Sequence, residues 1–163
     1  MIGVIILTMK IVIGSDHAGF ELKEAIKPYL TELGHEYKDF GTFDGTTPVD
    51  WPDIAFLVAQ AVMRGEFDRG IMIDGIGTAM PIVANRLPGI RAMCCYDAFT
   101  TQMSREHGDA NIMCLGGYMT GKGLVKILIK QWLTTEFLGG RYTKRLEKVQ
   151  NLEKVLYKPE LLK

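Results

Sequence analysis

The chain has 163 residues, of which 47% are apolar, so it has the length of one average domain and enough apolar side chains for a substantial core. Nineteen basic residues balance nineteen acidic ones, which gives a formal net charge of zero. This balance argues against a broad nucleic-acid or anionic-membrane surface, since either would need a basic excess.

The charge is nevertheless divided unevenly along the chain. Residues 1–81 hold 6 Lys/Arg and 12 Asp/Glu, whereas residues 82–163 hold 13 Lys/Arg and 7 Asp/Glu. One local anion site in the basic half is therefore compatible with the neutral total.

Targeting signals, disulfides and metal ligands are not indicated by the sequence. The apolar start at 1–8 is short and has neither a basic beginning nor a small-residue cleavage site, so we expect no signal peptide. An odd number of cysteines inside apolar runs predicts reduced core thiols and a cytoplasmic protein. Close ligand spacing is absent, so no metal is predicted. The cysteines are Cys94, Cys95 and Cys114, and the histidines, which are too scattered to bind one metal ion, are His17, His35 and His107.

Short β-branched runs alternate with helical patterns from residue 10 onwards. The predicted strands are 10–14, 37–41, 70–74, 90–96 and 111–115. The predicted helices are 22–33 ending at Gly34, 54–62 closed by Gly65, one capped by Thr78 with Pro81 in its first turn, one from the Asp97 cap to His107, 120–137, and 142–156 after Gly139-Gly140. This alternation predicts one α/β domain with a doubly wound parallel sheet.

Three segments carry polar side chains that are unusual for strand ends: two follow strands directly, and one follows the helix after the fourth strand. They are 14–19 (Gly-Ser-Asp-His-Ala-Gly), 74–79 (Asp-Gly-Ile-Gly-Thr-Ala) and 104–111 (Ser-Arg-Glu-His-Gly-Asp-Ala-Asn). Ligands of doubly wound sheets bind outside the carboxyl ends of the strands. We therefore expect all three segments to converge at that edge of the sheet.

Each of these features also has a simpler interpretation. Asp74 ends a buried strand, where a carboxylate costs free energy unless it is paired or functional, but it could serve as an N-cap or in an ion pair. Gly75 and Gly77 leave backbone N–H groups for an oxyanion or phosphate, although a structural turn has the same pattern. Asp16 could be a helix cap and His17 a polar surface residue beside it. His107 alone is more typical of a surface residue near the C-terminus of a helix than of a catalytic residue.

Two arginines four residues apart suggest an anion site. If the last helix begins near Gly140, Arg141 and Arg145 share a face and could hold one phosphate between two guanidinium groups. Spacing alone favours a solvated basic helix face, with Lys144 and Lys148 beside them.

Taken in order, these segments resemble the ribose-5-phosphate isomerase type B and galactose-6-phosphate isomerase family. The resemblance rests on the Gly14–Gly19 segment, the Asp-Gly-x-Gly loop, and a series of later positions: Ala84-Asn85-Arg86, Pro88 to Ala92, Ser104-Arg105-x-His107, Asn111, and Gly139-Gly140-Arg141-x-x-x-Arg145. It covers about residues 9–152, which leaves 1–8 as a short extension and 153–163 as a tail.

The resemblance implies a Rossmann-like, three-layer α/β/α domain with a five-stranded parallel sheet and a C-terminal helical extension. It implies a homodimer or a dimer of dimers, with active sites at the subunit interface. The reaction would be aldose–ketose isomerisation of a pentose or hexose phosphate through a cis-enediolate, without metal or organic cofactor.

The resemblance also implies roles for individual residues. His107 would assist ring opening, Asp16 would hold sugar hydroxyls, and the backbone of Gly75 and Gly77 would hold the oxyanion. Phosphate would bind to His17, Arg141 and Arg145, partly across the interface. The remaining substrate-binding positions would be Ile76, Thr78 and Asn111.

This sequence departs from the family pattern at several of these positions. Asp74 stands where most members have the cysteine that acts as base, and Ile76 stands where they have Thr or Ser. Tyr118 and Tyr142 replace a frequent Arg and His, and Gly108 replaces a frequent Asn. We expect Asp74 to act as base if burial or a neighbouring charge raises its pKa, and we expect a substrate other than ribose 5-phosphate.

Two alternatives remain open at this point. The missing cysteine, threonine, arginine and histidine also fit a non-catalytic, sugar-phosphate-binding subunit of a heteromeric isomerase. An isomerase of an unphosphorylated sugar would be indifferent to the loss of Arg141 and Arg145.

Overall fold

The computed structural model describes residues 8–157, so most of the predicted extension at 1–8 and the end of the predicted tail, 158–163, lie outside the described residues. The described strands are β1 (Lys10–Ser15), β2 (Glu36–Asp39), β3 (Arg69–Asp74), β4 (Ala92–Cys94) and β5 (Ile112–Gly116). The helices are α1 (Phe20–Glu32), α2 (Trp51–Met63), α3 (Met80–Ala84), α4 (Ala98–Glu106), α5 (Lys122–Thr134) and α6 (Arg141–Leu156).

The five strands form one parallel sheet in the order β2-β1-β3-β5-β4. Helices cover both faces, because alternate residues along each central strand point to opposite sides. On β3, Ile71 and Ile73 face α1 and α5, whereas Met72 faces α2 and α3. The predicted three-layer fold with a C-terminal helical extension is confirmed.

Two predicted elements are longer than the observed ones. Of the strand predicted at 90–96, only residues 92–94 (β4) form a strand. The strand is short because, on the side of β4 that has no neighbouring strand, the Asn85 side chain accepts from Ala92 N (2.7 Å) and donates to Ala92 O (2.9 Å). The helix predicted at 120–137 spans 122–134, because Thr135 has an extended ψ of 125° and its hydroxyl donates to Gln131 O.

Helix α6 confirms the prediction for 142–156 and extends beyond the sheet. Its apolar residues from the second half are largely exposed: Val149 (45%), Leu152 (60%), Val155 (52%) and Leu156 (61%). The helix is joined to the loop after α3, where Gly89 N donates to the Glu153 carboxylate at 3.1 Å and Tyr157 OH donates to Arg86 O. None of the helices between residues 8 and 157 has the length and apolar composition of a membrane span.

Candidate active site

Strands β1 and β3 lie side by side and end together at the carboxyl edge of the sheet. Ser15 is in register with Ile73, so the next residues along the chain, Asp16 and Asp74, lie at adjacent strand ends. Both carboxylates are almost completely buried, with 7% and 3% exposure. Two buried acidic groups at one edge are costly to ionise together, so such an arrangement is typical of a functional site.

Asp16 is fixed at the turn between β1 and α1. Its Oδ1 accepts a hydrogen bond from Gly19 N at 2.9 Å. Burial raises the pKa of Asp16 above its ordinary value, the Gly19 N–H acts in the opposite direction, and the negative charge of Asp74 raises the pKa further. The neighbouring His17 accepts a hydrogen bond at Nδ1 from Val49 N (3.4 Å), which orients its ring towards the loop before α2.

The Asp74 carboxylate accepts four backbone hydrogen bonds from the loop that follows it. Oδ1 accepts from Ile76 N (3.0 Å) and Gly77 N (2.6 Å), and Oδ2 accepts from Ala79 N (3.2 Å) and Met80 N (3.1 Å). The loop is therefore an anion-binding array whose occupant in this structure is the chain's own carboxylate. The N–H groups predicted for a substrate oxyanion are in part the ones that Asp74 uses.

The same contacts correct the predicted cap of α3. Thr78 does not cap the helix; Ala79 is the N-cap residue and makes no side-chain cap bond, while the Asp74 carboxylate accepts the first N–H groups instead. Pro81 lies in the first turn of α3, as predicted.

The loop lies directly against the backbone at the end of β5. Gly77 has a φ of +82°, and a Cβ there would lie 2.8 Å from the carbonyl carbon of Leu115, so no other residue fits. The Tyr118 ring covers Gly75, since a Cβ on that glycine would lie 3.0 Å from Tyr118 Cε2. Ile76, Thr78 and Tyr118 are exposed, so the outer face of the loop is open to a ligand.

Two side chains at the end of β4 hold the loop from its other side. Cys94 Sγ donates to Gly77 O at 3.2 Å, and Tyr96 OH donates to Ile76 O at 3.1 Å. Burial raises the pKa of Tyr96 to about 12, with the adjacent Cys94 side chain adding to the effect. The sequence predicted Cys94 only as a core thiol and indicated no role for Tyr96, although both come at the carboxyl end of a strand, where ligands bind in this class of fold.

The third polar segment does not join the other two, which corrects the predicted convergence. Helix α4 begins at the carboxyl edge, after β4, and runs back to the amino edge, where β5 begins. His107, at the end of α4, therefore lies at the opposite edge of the sheet from Asp16 and Asp74. In a parallel sheet every connecting helix returns in this way.

His107 is part of a second cluster, centred on Tyr142. The His107 and Tyr142 rings are stacked, with centroids 4.0 Å apart and an interplanar angle of 15°. The guanidinium groups of Arg141 and Arg145 lie 4.8 and 5.4 Å from the centre of the Tyr142 ring, and Arg141 Nη2 donates to Tyr142 OH at 2.6 Å. Among the described residues no carboxylate pairs with either arginine, so both charges are available to an anion.

The segment after His107 is held by two arginines. Asp109 accepts from Arg105 Nη1 at 2.9 Å and from Arg91 Nη2 at 2.8 Å. Asn111 serves the same purpose, since its side chain bonds Arg91 N and Gly89 O, both at 2.8 Å. The structure thus places Asn111 in the support of this loop, and its substrate-binding role stays a prediction.

The predicted site residues therefore form two clusters. We call the first the acidic half-site, consisting of Asp16, His17 and the loop 74–79, and the second the basic half-site, consisting of His107, Arg141, Tyr142 and Arg145. In residues 8–157 no group of three or more His, Cys, Asp and Glu side chains has an arrangement suited to a metal ion.

Comparisons with known proteins agree on one family. The profile described as ribose/galactose isomerase matches residues 11–149. Ribose-5-phosphate isomerase B of Escherichia coli is 40% identical over 144 residues, which are 88% of this chain and 96% of that protein. D-erythrulose-4-phosphate isomerase of Pectobacterium atrosepticum is 38% identical over 143 residues, covering 86% and 93%. The solved structure of ribose-5-phosphate isomerase B from Clostridium thermocellum superposes with a TM-score of 0.87 at 47% identity and covers 90% of this chain and 99% of that one.

Proposed function

Because the chain belongs to the ribose/galactose isomerase family, whose profile spans most of its length, we propose that it interconverts the aldose and ketose forms of a pentose or hexose phosphate. The observation that carries this proposal is the buried Asp74 carboxylate inside an array of backbone N–H donors, beside a second buried carboxylate. Such a site can remove a proton next to a carbonyl group and stabilise the oxyanion that results.

Asp74 is the proposed base. The carboxylate takes the proton from the hydroxyl-bearing carbon next to the carbonyl, which leaves a cis-enediolate. A proton then passes from one enediolate oxygen to the other, and Asp74 returns its proton to the former carbonyl carbon. Negative charge moves from Asp74 to the enediolate oxygen during the first step. The same loop also supplies N–H donors that can stabilise the enediolate beside the carboxylate, so one array serves both anions.

The basic half-site supplies the functions that the acidic half-site lacks. Arg141 and Arg145 bind the phosphate of the sugar, with His17 as a further donor, and His107 assists ring opening. Because the two half-sites lie at opposite edges of one sheet, the complete site takes its halves from two copies of the chain. The acidic charge of one half-site and the basic charge of the other favour this pairing.

The dimer follows from the same argument. The exposed apolar residues of α6 supply a surface that a second copy can cover. The three cysteines of the described chain are free thiols, which fits a reducing, cytoplasmic environment.

The proposal is tested by proton exchange. The purified protein is incubated in D₂O with a panel of tetrose, pentose and hexose phosphates, and deuterium incorporation next to the carbonyl group is followed by NMR. We expect deuterium incorporation with at least one sugar phosphate. The Asp74→Asn variant should show a rate of incorporation at least about 100-fold lower, while its circular dichroism spectrum shows an unchanged fold. Near-native exchange by Asp74→Asn would remove Asp74 from the role of base.

The occupied N–H array also favours a second candidate function. A chain whose own carboxylate fills the oxyanion site fits a sugar-phosphate-binding subunit of a heteromeric isomerase. Tight binding of a sugar phosphate without any deuterium incorporation would support this candidate over the first one.

A further inference from the structure

The central peptide groups of the 74–79 loop are each held by a side chain from the end of β4. Tyr96 OH bonds the carbonyl oxygen of Ile76, and Cys94 Sγ bonds the carbonyl oxygen of Gly77. Both side chains are partly buried behind the loop. Neither touches the place where a substrate would lie on the open face, so any effect on the reaction passes through the backbone.

Backbone geometry relates each held carbonyl to one N–H group. The C=O and N–H of a trans peptide group point in opposite directions, and both groups of this loop are trans. The Ile76 carbonyl points towards Tyr96, so the Gly77 N–H points away from β4. This N–H donates to Asp74 Oδ1 at 2.6 Å, on the side of the loop opposite to Tyr96.

The next peptide group has the same orientation but no internal acceptor. The Gly77 carbonyl points towards Cys94, so the Thr78 N–H points away from β4, to the side on which Asp74 lies. Within residues 8–157 no acceptor is hydrogen-bonded to the Thr78 N–H, and Thr78 is exposed. Its neighbours at Gly77 and Ala79 are both used by Asp74, so Thr78 supplies a free donor in the middle of the array.

We propose that Cys94 and Tyr96 are positioning residues that fix the two central peptide groups of the loop, and that the Thr78 N–H is the donor that receives the substrate oxyanion. This inference rests on the proposed isomerase function and deepens it. Tyr96 keeps the Gly77 N–H on the base, and Cys94 keeps the Thr78 N–H free for the enediolate.

The kinetic test uses variants that remove one hydrogen bond each. Tyr96→Phe should lower kcat about 5- to 10-fold, and Cys94→Ala should lower it about 3-fold. KM should change less than about 2-fold in both variants, because the N–H donors of the loop act on charge that develops in the transition state. Cys94→Ser, which restores a donor, should recover most of the loss. Tyr37→Phe, which changes an exposed tyrosine on β2, is the matched control.

A spectroscopic test does not depend on activity. The Gly77 amide proton, in a short hydrogen bond to a carboxylate, should resonate downfield in the free protein and move upfield in Tyr96→Phe. In Cys94→Ala, the Thr78 amide proton should change its chemical shift and exchange faster with solvent. In Cys94→Ser, both quantities should return towards their wild-type values. Both spectra are recorded without substrate.

The outcomes separate this inference from the proposed function. Unchanged Gly77 and Thr78 amide signals in the two variants would overturn the inference, as would a loss in Cys94→Ser equal to that in Cys94→Ala. If the wild-type protein exchanges deuterium into no sugar phosphate, the isomerase proposal and the oxyanion role of Thr78 both fail. The amide signals then decide the positioning role by themselves.

Discussion

At the scale of single residues, Asp74 has more contacts than a cysteine could make at that position. A carboxylate has two oxygens and can accept four N–H groups, which Asp74 does. The sequence predicted the residue and its place at a strand end. It could not predict that the carboxylate fills the array, because the directions of the N–H groups depend on backbone dihedral angles such as the positive φ at Gly77.

Tyr142 illustrates a residue whose position was noted in the sequence but whose contacts were not predicted. Its ring lies against His107 and both arginines, and its hydroxyl bonds Arg141. Such a contact needs residues from α4 and α6 to meet, and the residue spacing along the chain contains no information about that meeting.

We predict that Tyr142→Phe impairs substrate binding more than turnover. The ring stack on His107 is kept, whereas Arg141 loses the partner that orients its guanidinium group. Loss of one charge-assisted hydrogen bond corresponds to roughly a 10-fold rise in KM for the sugar phosphate. Steady-state kinetics should show kcat within about 2-fold of wild type. Tyr142→Ala, which also removes the stack, should lower kcat as well; equal effects of the two variants on kcat would contradict the assignment.

A second prediction at this scale concerns His35, which is buried at the start of β2. Its Nδ1 accepts from Met9 N at 3.2 Å, and burial lowers the pKa of its imidazole. The unfolded chain, with an ordinary pKa, binds a proton more readily. This residue's contribution to stability is therefore complete above about pH 6.5 and is lost as the pH falls from there to the lowered pKa of the folded chain. Thermal unfolding should give a lower Tm at pH 5.5 than at pH 7.5. In His35→Leu this difference should shrink, and an undiminished difference would exclude His35 as its source.

At the scale of elements, the helices place the functional residues at the two edges. The N-cap of α4 was predicted at Asp97 and is confirmed, with Thr100 N donating to Asp97 Oδ1 at 2.7 Å; the structure adds the reciprocal contact of Thr100 that completes a capping box. The predicted convergence of three segments was nevertheless wrong. The order β4–α4–β5 in a parallel sheet already requires the end of α4 to lie at the amino edge, so this error could have been avoided from the element order alone.

Helix α6 gives the prediction that belongs to this scale. If α6 forms the interface of the proposed dimer, Leu152→Glu combined with Leu156→Glu should dissociate it, because each change puts an uncompensated charge where a leucine would otherwise be buried. Sedimentation analysis should show a rise of roughly 100-fold or more in the dissociation constant, with a parallel loss of activity. Lys154→Glu, a charge change on the same helix that lies two residues from each leucine and so on the opposite face, is the control and should leave the proposed dimer intact.

At the scale of the whole molecule, the fold was predictable because the central strands are continuous apolar runs and the helices between them are amphipathic. Ile71 to Ile73 on β3 are completely buried, as expected for a strand covered on both faces. The proposed relation between the half-sites was implied by the family resemblance alone, because the residues of a single chain do not show how two copies would pack.

A mixing experiment tests that relation directly. Asp74→Asn damages the acidic half-site and His107→Asn the basic one, so each variant alone should be inactive. After the two are mixed and allowed to exchange subunits, half of the dimers contain one of each chain, and one of their two sites combines two intact halves. Activity should therefore return to about one quarter of wild type. A mixture that stays inactive after proven subunit exchange would mean that each site lies within one protomer.

The placement of the two half-sites at opposite edges of the sheet has a genetic consequence. In such an assembly each polypeptide serves two reaction centres, and no reaction centre is encoded by a single copy. A duplicated gene could then lose Asp74 in one copy and His107 in the other, and the pair would still supply one working centre per heterodimer. Neither copy could afterwards be lost, so the separation of charge in this fold provides a route from one self-sufficient gene to two interdependent ones.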